Sequence, residues 1–144
     1  MTADALDAHQ WLDALATLAT GAFETPADRQ DQVLRTFFHL ARHAPSEFRH
    51  KVATDLTERD FEGLLQAEAF ESAAFRLVER ACGAMVSFAA GGKNGMASVW
   101  IPHESNEKSG GAASVSLALI GCTCAAIFEA CTSVEQARVS ARLN

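Results

Sequence analysis

His39 and His43 stand four residues apart, the spacing that sets two imidazoles on one face of a helix, where they can share a divalent ion with His50 or an acidic side chain as third ligand. The Glu that zinc proteases place directly after the first His is missing, because Leu40 stands there. The pair also shares its helical face with Gln32, Arg35 and Arg42, opposite Val33, Phe37 and Phe38, and cationic neighbours disfavour a bound cation. Solvated surface histidines are the plainer reading. A second group, His103, Glu104, Glu107 and Lys108, crowds one polar segment, where acid-base groups on a loop would suit proton transfer. With no second cluster to converge on, that segment reads as a solvated loop.

Other chemistry is weaker still. Lys108-Ser109-Gly110-Gly111 precedes an apolar helix whose first amides would attract an anion, but the Walker spacing is absent, so a flexible turn is expected. Ser87, Ser98, Ser114 and Ser116 lack the Gly-x-Ser-x-Gly setting of an activated serine. Cys82 falls near a helix C-terminus, where the dipole raises a thiol pKa. Cys122 and Cys124 point about 200° apart around a helix, and Cys124 and Cys131 share a face two turns apart, so neither pair chelates one ion. No catalytic, cofactor-binding or metal-ligating residue is assigned, and no cofactor is expected.

Charge narrows the partners. The 144 residues carry 12 basic and 18 acidic side chains, a formal charge of -6. Residues 1–69 hold six basic and twelve acidic side chains and residues 70–144 six of each, so the whole excess lies in the first half. An acidic chain without a basic stripe is a poor ligand for nucleic acid, and each Arg in the helices that imitate a helix-turn-helix has acidic company. The uncharged stretch 109–128 is strongly apolar only over 115–128, which is 14 residues against the roughly 20 of a bilayer span. No membrane association is therefore expected. The acidic start, with Asp4 and Asp7, lacks the positive and apolar regions of a secretory signal, so the expected location is the cytoplasm, where the cysteines stay reduced.

The elements that must position these residues are mostly helical. Residues 3–20 place Trp11, Leu15 and Leu18 on one stripe, with Gly21 as a stop. Thr25-Pro26-Ala27-Asp28 reads as a capped start for a second helix reaching His43. Ser46 opens a third helix carrying Phe48, Val52 and Leu56, and Thr57 caps a fourth through Phe61, Leu64 and Leu65. A further helix starts at Glu71 or Ser72 and closes at Gly83, although its β-branched and aromatic content also suits a strand. Residues 84–89 and 96–101 then alternate as two strands about a glycine-rich turn at 91–95. Residues 103–111 follow as a polar loop and 112–131 as the most buried helix. Thr132 and Glu135 form a capping box for a short last helix to about Arg142.

The fold class expected is α+β and helix-rich, with a two-stranded antiparallel hairpin at about 84–101 packed between helices. Residues 1–69 form an acidic N-terminal helical region and 70–144 a helix-hairpin-helix region, together one compact unit. Across residues 68–131, the strings Phe70-Glu71-Ser72-Ala73-Ala74-Phe75-Arg76-Leu77-Val78, Ala97-Ser98-Val99-Trp100-Ile101-Pro102 and Ala113-Ser114-Val115-Ser116-Leu117-Ala118-Leu119-Ile120 fall in an order that resembles the small ABA sandwich domains encoded by many bacteriophages. The resemblance implies a helix-hairpin-helix fold and a phage or prophage context, with no catalytic residue to carry over. The function expected is a non-enzymatic interaction, accessory or inhibitor module that binds a protein partner or pairs as a homodimer. The alternative is a small metal-dependent or small-molecule enzyme using the His103 loop or the His39 and His43 pair.

Overall fold

The computed structural model describes residues 6–88, 94–104 and 106–143. Helix α1 (Ala8–Glu24) starts at a capping box: the Asp7 carboxylate accepts from the Gln10 amide at 2.8 Å and the Gln10 side chain accepts from the Asp7 amide at 3.3 Å. It runs through Gly21 instead of stopping there, because Ala22 beyond it is fully buried and Thr25 Oγ1 donates back to the Gly21 carbonyl at 2.7 Å. That bond also occupies the hydroxyl expected to cap the second helix. A single 3₁₀ turn, Ala27–Arg29, intervenes, and α2 (Gln30–Arg42) follows with Val33, Leu34, Phe37 and Phe38 buried.

The helix expected after Ser46 is instead a short 3₁₀ turn, Arg49–Val52. Phe48, Val52 and Leu56 are buried all the same, so they anchor an irregular segment to the core. Thr57 does cap α3 (Glu58–Gln66), accepting from the Asp60 amide at 3.1 Å. The ambiguous segment is a helix, α4 (Phe70–Val78), with Ala73, Ala74, Leu77 and Val78 buried.

The sheet departs from the expectation. β1 (Gly83–Phe88) and β2 (Gly95–Trp100) pair antiparallel as read, with Met85 opposite Ser98 and Val86 opposite Ala97; the turn expected at 91–95 falls largely outside the described residues. A third strand, β3 (Glu107–Ala112), pairs antiparallel with β2 and makes the order β1-β2-β3. It occupies most of the segment expected to be a polar loop. Glu-Lys-Ser-Gly-Gly-Ala has little β-propensity, so pairing with β2 and contact with the helices hold it extended.

The rest of the chain is one helix, α5 (Val115–Leu143), where two were expected. Thr132 Oγ1 donates to the Phe128 and Glu129 carbonyls at 2.9 and 3.1 Å, and Ser133 Oγ donates to Glu129 at 2.9 Å. Hydroxyls turned back along their own helix continue it instead of capping a new one. The helix is long and apolar enough to cross a bilayer, yet 78% of its apolar window is buried inside the fold. It is the core helix, packed against the sheet, α1, α2 and α4.

One hydrophobic cluster joins the two halves of the chain, from Trp11 to Cys131. The Trp11 indole stacks on Phe48 at 5.8 Å and donates to the Leu40 carbonyl at 2.8 Å, so a buried polar hydrogen is satisfied. On the sheet, Ala97, Val99 and Ala112 are buried on the face toward α5, with Ala84 and Val86 partly buried beside them. The opposite face is open. The expectation of a hairpin packed between helices is thus corrected twice: among the described residues the sheet has three strands, and helices cover one face only.

Candidate functional site

The residues singled out for chemistry do not converge. The His39 and His43 rings meet at a tilt of 32° with centroids 4.2 Å apart, and His43 Nδ1 lies 2.9 Å from the His39 carbonyl on the solvent side of α2. They border a cleft of about 400 Å³ with Arg35, Arg42, Glu58 and Glu62. Its charges compensate one another, since Arg35 pairs with Glu62 and Arg42 with Glu58 at 3.6 Å. Among the described residues no three His, Cys, Asp or Glu side chains gather as metal ligands.

The group around His103 is dispersed by the third strand. His103 is exposed in a turn with φ 69°, Glu104 pairs with Lys51 at 3.4 Å, and Glu107 lies on the open face of the sheet. Lys108, one residue on, points to the other face and pairs with Glu129 of α5. A period of two separates neighbours to opposite sides of a sheet, and that breaks the apparent cluster. Lys108-Ser109-Gly110-Gly111 is likewise strand, away from the helix start. There Ser114 Oγ caps α5 by accepting from the Leu117 amide at 3.2 Å. The hydroxyls are engaged locally: Ser98 with Ser109 at 2.7 Å, Ser114 with Ser116 at 3.0 Å, and Ser116 with Gln30.

All four cysteines are buried thiols. Burial pushes Cys82 up to about 12 and Cys122 up to about 11. Cys124 is raised by burial first and then by the proximity of Cys82 and Cys122. The Cys82 thiol is thus raised, as expected, with desolvation by burial as the cause. Such thiols are poor nucleophiles near neutral pH.

What the structure does assemble is a surface. The open face carries Met85 and Ser87 from β1, Met96, Ser98 and Trp100 from β2, and Glu107 and Ser109 from β3. Met85 is 68% exposed and Met96 53%. Trp100 lies across Gly83, its partner in register, so closely that a Cβ there would stand 2.3 Å from the indole. Among the described residues Glu107 is the single charged side chain of this face. Comparison with protein-family models, with curated proteins and with solved structures finds no match.

Alternation in 84–89 and 96–101 already puts Met85 opposite Val86 and Phe88, and Trp100 opposite Val99 and Ile101. Which face meets α5 is not contained in that alternation, because both carry apolar residues. The face stays open because α5 and the C-terminal end of α1, through Phe23, occupy the other one.

Proposed function

We propose that the chain is a non-catalytic α+β interaction module that binds protein through the open face and free edge of its sheet. One observation carries the reading: two methionines more than half exposed on a face that, among the described residues, carries a single charge. Flexible, polarisable thioethers beside serines and the Trp100 indole suit a contact that adapts to its partner. An accessory or inhibitor role in a phage or prophage setting is supported by the resemblance of residues 68–131 to the phage sandwich domains, and a cytoplasmic location by the buried thiols.

Photo-methionine tests the contact directly, because Met85 and Met96 are the methionines on this face. Irradiation of cells carrying the labelled chain is expected to cross-link these two positions to a protein, whether another copy or a different chain. Absence of any cross-link from either position would remove the reading.

A further inference from the structure

The interaction reading names a surface, and the two edges of the sheet differ in a way that names its occupant. β3 carries Glu107 and Lys108 and lies beside α1, whose Phe23 ring sits where a Cβ on Gly110 would be 2.8 Å away. Charged side chains and a covering helix are the usual means of keeping an edge from pairing. β1, Gly-Ala-Met-Val-Ser-Phe, has neither charge nor proline. Among the described residues its backbone pairs with β2, and no other backbone hydrogen bond leaves it. Met85 and Phe88, 68% and 59% exposed, stand on that strand.

From this we infer that β1 pairs with β1 of a second copy of the chain, antiparallel about a twofold axis, to build one six-stranded sheet with both α5 helices on the same side. The inference rests on the interaction reading and specifies its partner. Charge selects the occupant: the excess of six negative charges lies in residues 1–69, whereas residues 70–144 carry six of each sign. Two copies joined at β1 therefore bring their neutral halves together and leave their acidic halves apart. A strongly charged partner gains nothing from an uncharged strand, and a second copy offers the same uncharged strand in return, as an isologous contact requires. The axis passes the middle of β1, so Met85 falls opposite or next to its own copy.

Sedimentation of the full chain tests the pairing. A species of twice the 15.4 kDa chain mass is expected at about ten micromolar and above. Met85→Glu and Met85→Lys, at an exposed position, are each expected to weaken the dimer by about a hundredfold or more, since like charges then meet at the axis. Mixing the two variants is expected to restore the double mass. Arg59→Glu, exposed on α3 in the half of the chain that the pairing does not involve, is expected to leave the dimer intact. Amide exchange of residues 83–88 in the unmodified chain, slower at high than at low concentration, gives a second measure that needs no variant. A chain of single mass throughout, either Met85 variant remaining dimeric, a mixture that stays monomeric, or a monomeric Arg59→Glu would each overturn the pairing. A single-mass chain whose Met85 and Met96 still cross-link to another protein would sink the pairing alone and leave the interaction reading in place.

Discussion

The buried thiols make the clearest statement at the scale of single residues. Cys82 and Cys124 keep their protons in the folded chain well above the ordinary value of 9.0, because a thiolate there would lie in an apolar interior. The unfolded chain releases those protons at the ordinary value. Between about pH 9 and 12 the folded state therefore binds more protons than the unfolded one, so stability is fully present below pH 9 and falls as pH rises, each thiol adding up to about 1.4 kcal/mol per pH unit. Urea midpoints measured from pH 8 to 11 are expected to decline, and to decline less steeply in Cys82→Ala. An aromatic disulfide reagent at pH 8 is expected to find almost no fast-reacting thiol in the native chain and all four after unfolding. Trp100 shows the same dependence on surroundings: its indole covers Gly83, and any side chain there would displace it.

At the scale of elements, two glycines separate local propensity from tertiary fit. A Cβ on Gly95 would stand 2.4 Å from the Val115 amide nitrogen, so the start of α5 rests directly on the backbone of β2. Gly95→Ala must push backbone away and is expected to cost about 1–3 kcal/mol. Gly63, exposed in α3 with nothing within 4 Å of an added Cβ, is the opposite case. Gly63→Ala is expected to stabilise by about 0.5–1 kcal/mol. Thermal or urea unfolding of the two variants checks both signs. The same contrast explains which elements were legible. The apolar stripes of α1 and α2 and the Thr57 cap could be read because their signals are local. β3 could not: Gly110 clears space for Phe23, from a helix almost ninety residues earlier, and a strand that gives up side chains for such a contact loses its alternation.

Across the whole molecule, α5 ties the acidic half to the sheet. It packs against α1, α2 and α4 as well as β2 and β3, and the core cluster has members from both halves. The two tryptophans report on opposite sides of that union, Trp11 from α1 and Trp100 from β2. In Trp100→Phe the fluorescence of Trp11 and in Trp11→Phe that of Trp100 are each expected to lose signal at the same urea concentration as the far-ultraviolet circular dichroism of that variant. Separate midpoints within one variant would mean that residues 1–69 and 70–144 unfold independently. Beyond Thr132 the described side chains of α5 are exposed, so its last turns outrun the body that stabilises the rest.

Sequence alone determined the helix-rich α+β class, the pairing of β1 with β2, the burial of the central helix and the placement of excess charge in the first half. These follow from periodicity, caps and counting, which need no knowledge of distant residues. Only the tertiary structure decided that His103, Glu104, Glu107 and Lys108 part company, that a third strand forms, and that the face bearing Met85 and Met96 stays open. Each of those outcomes depends on which segment lies across from which, and alternation along one strand is the same whichever face a neighbouring helix covers.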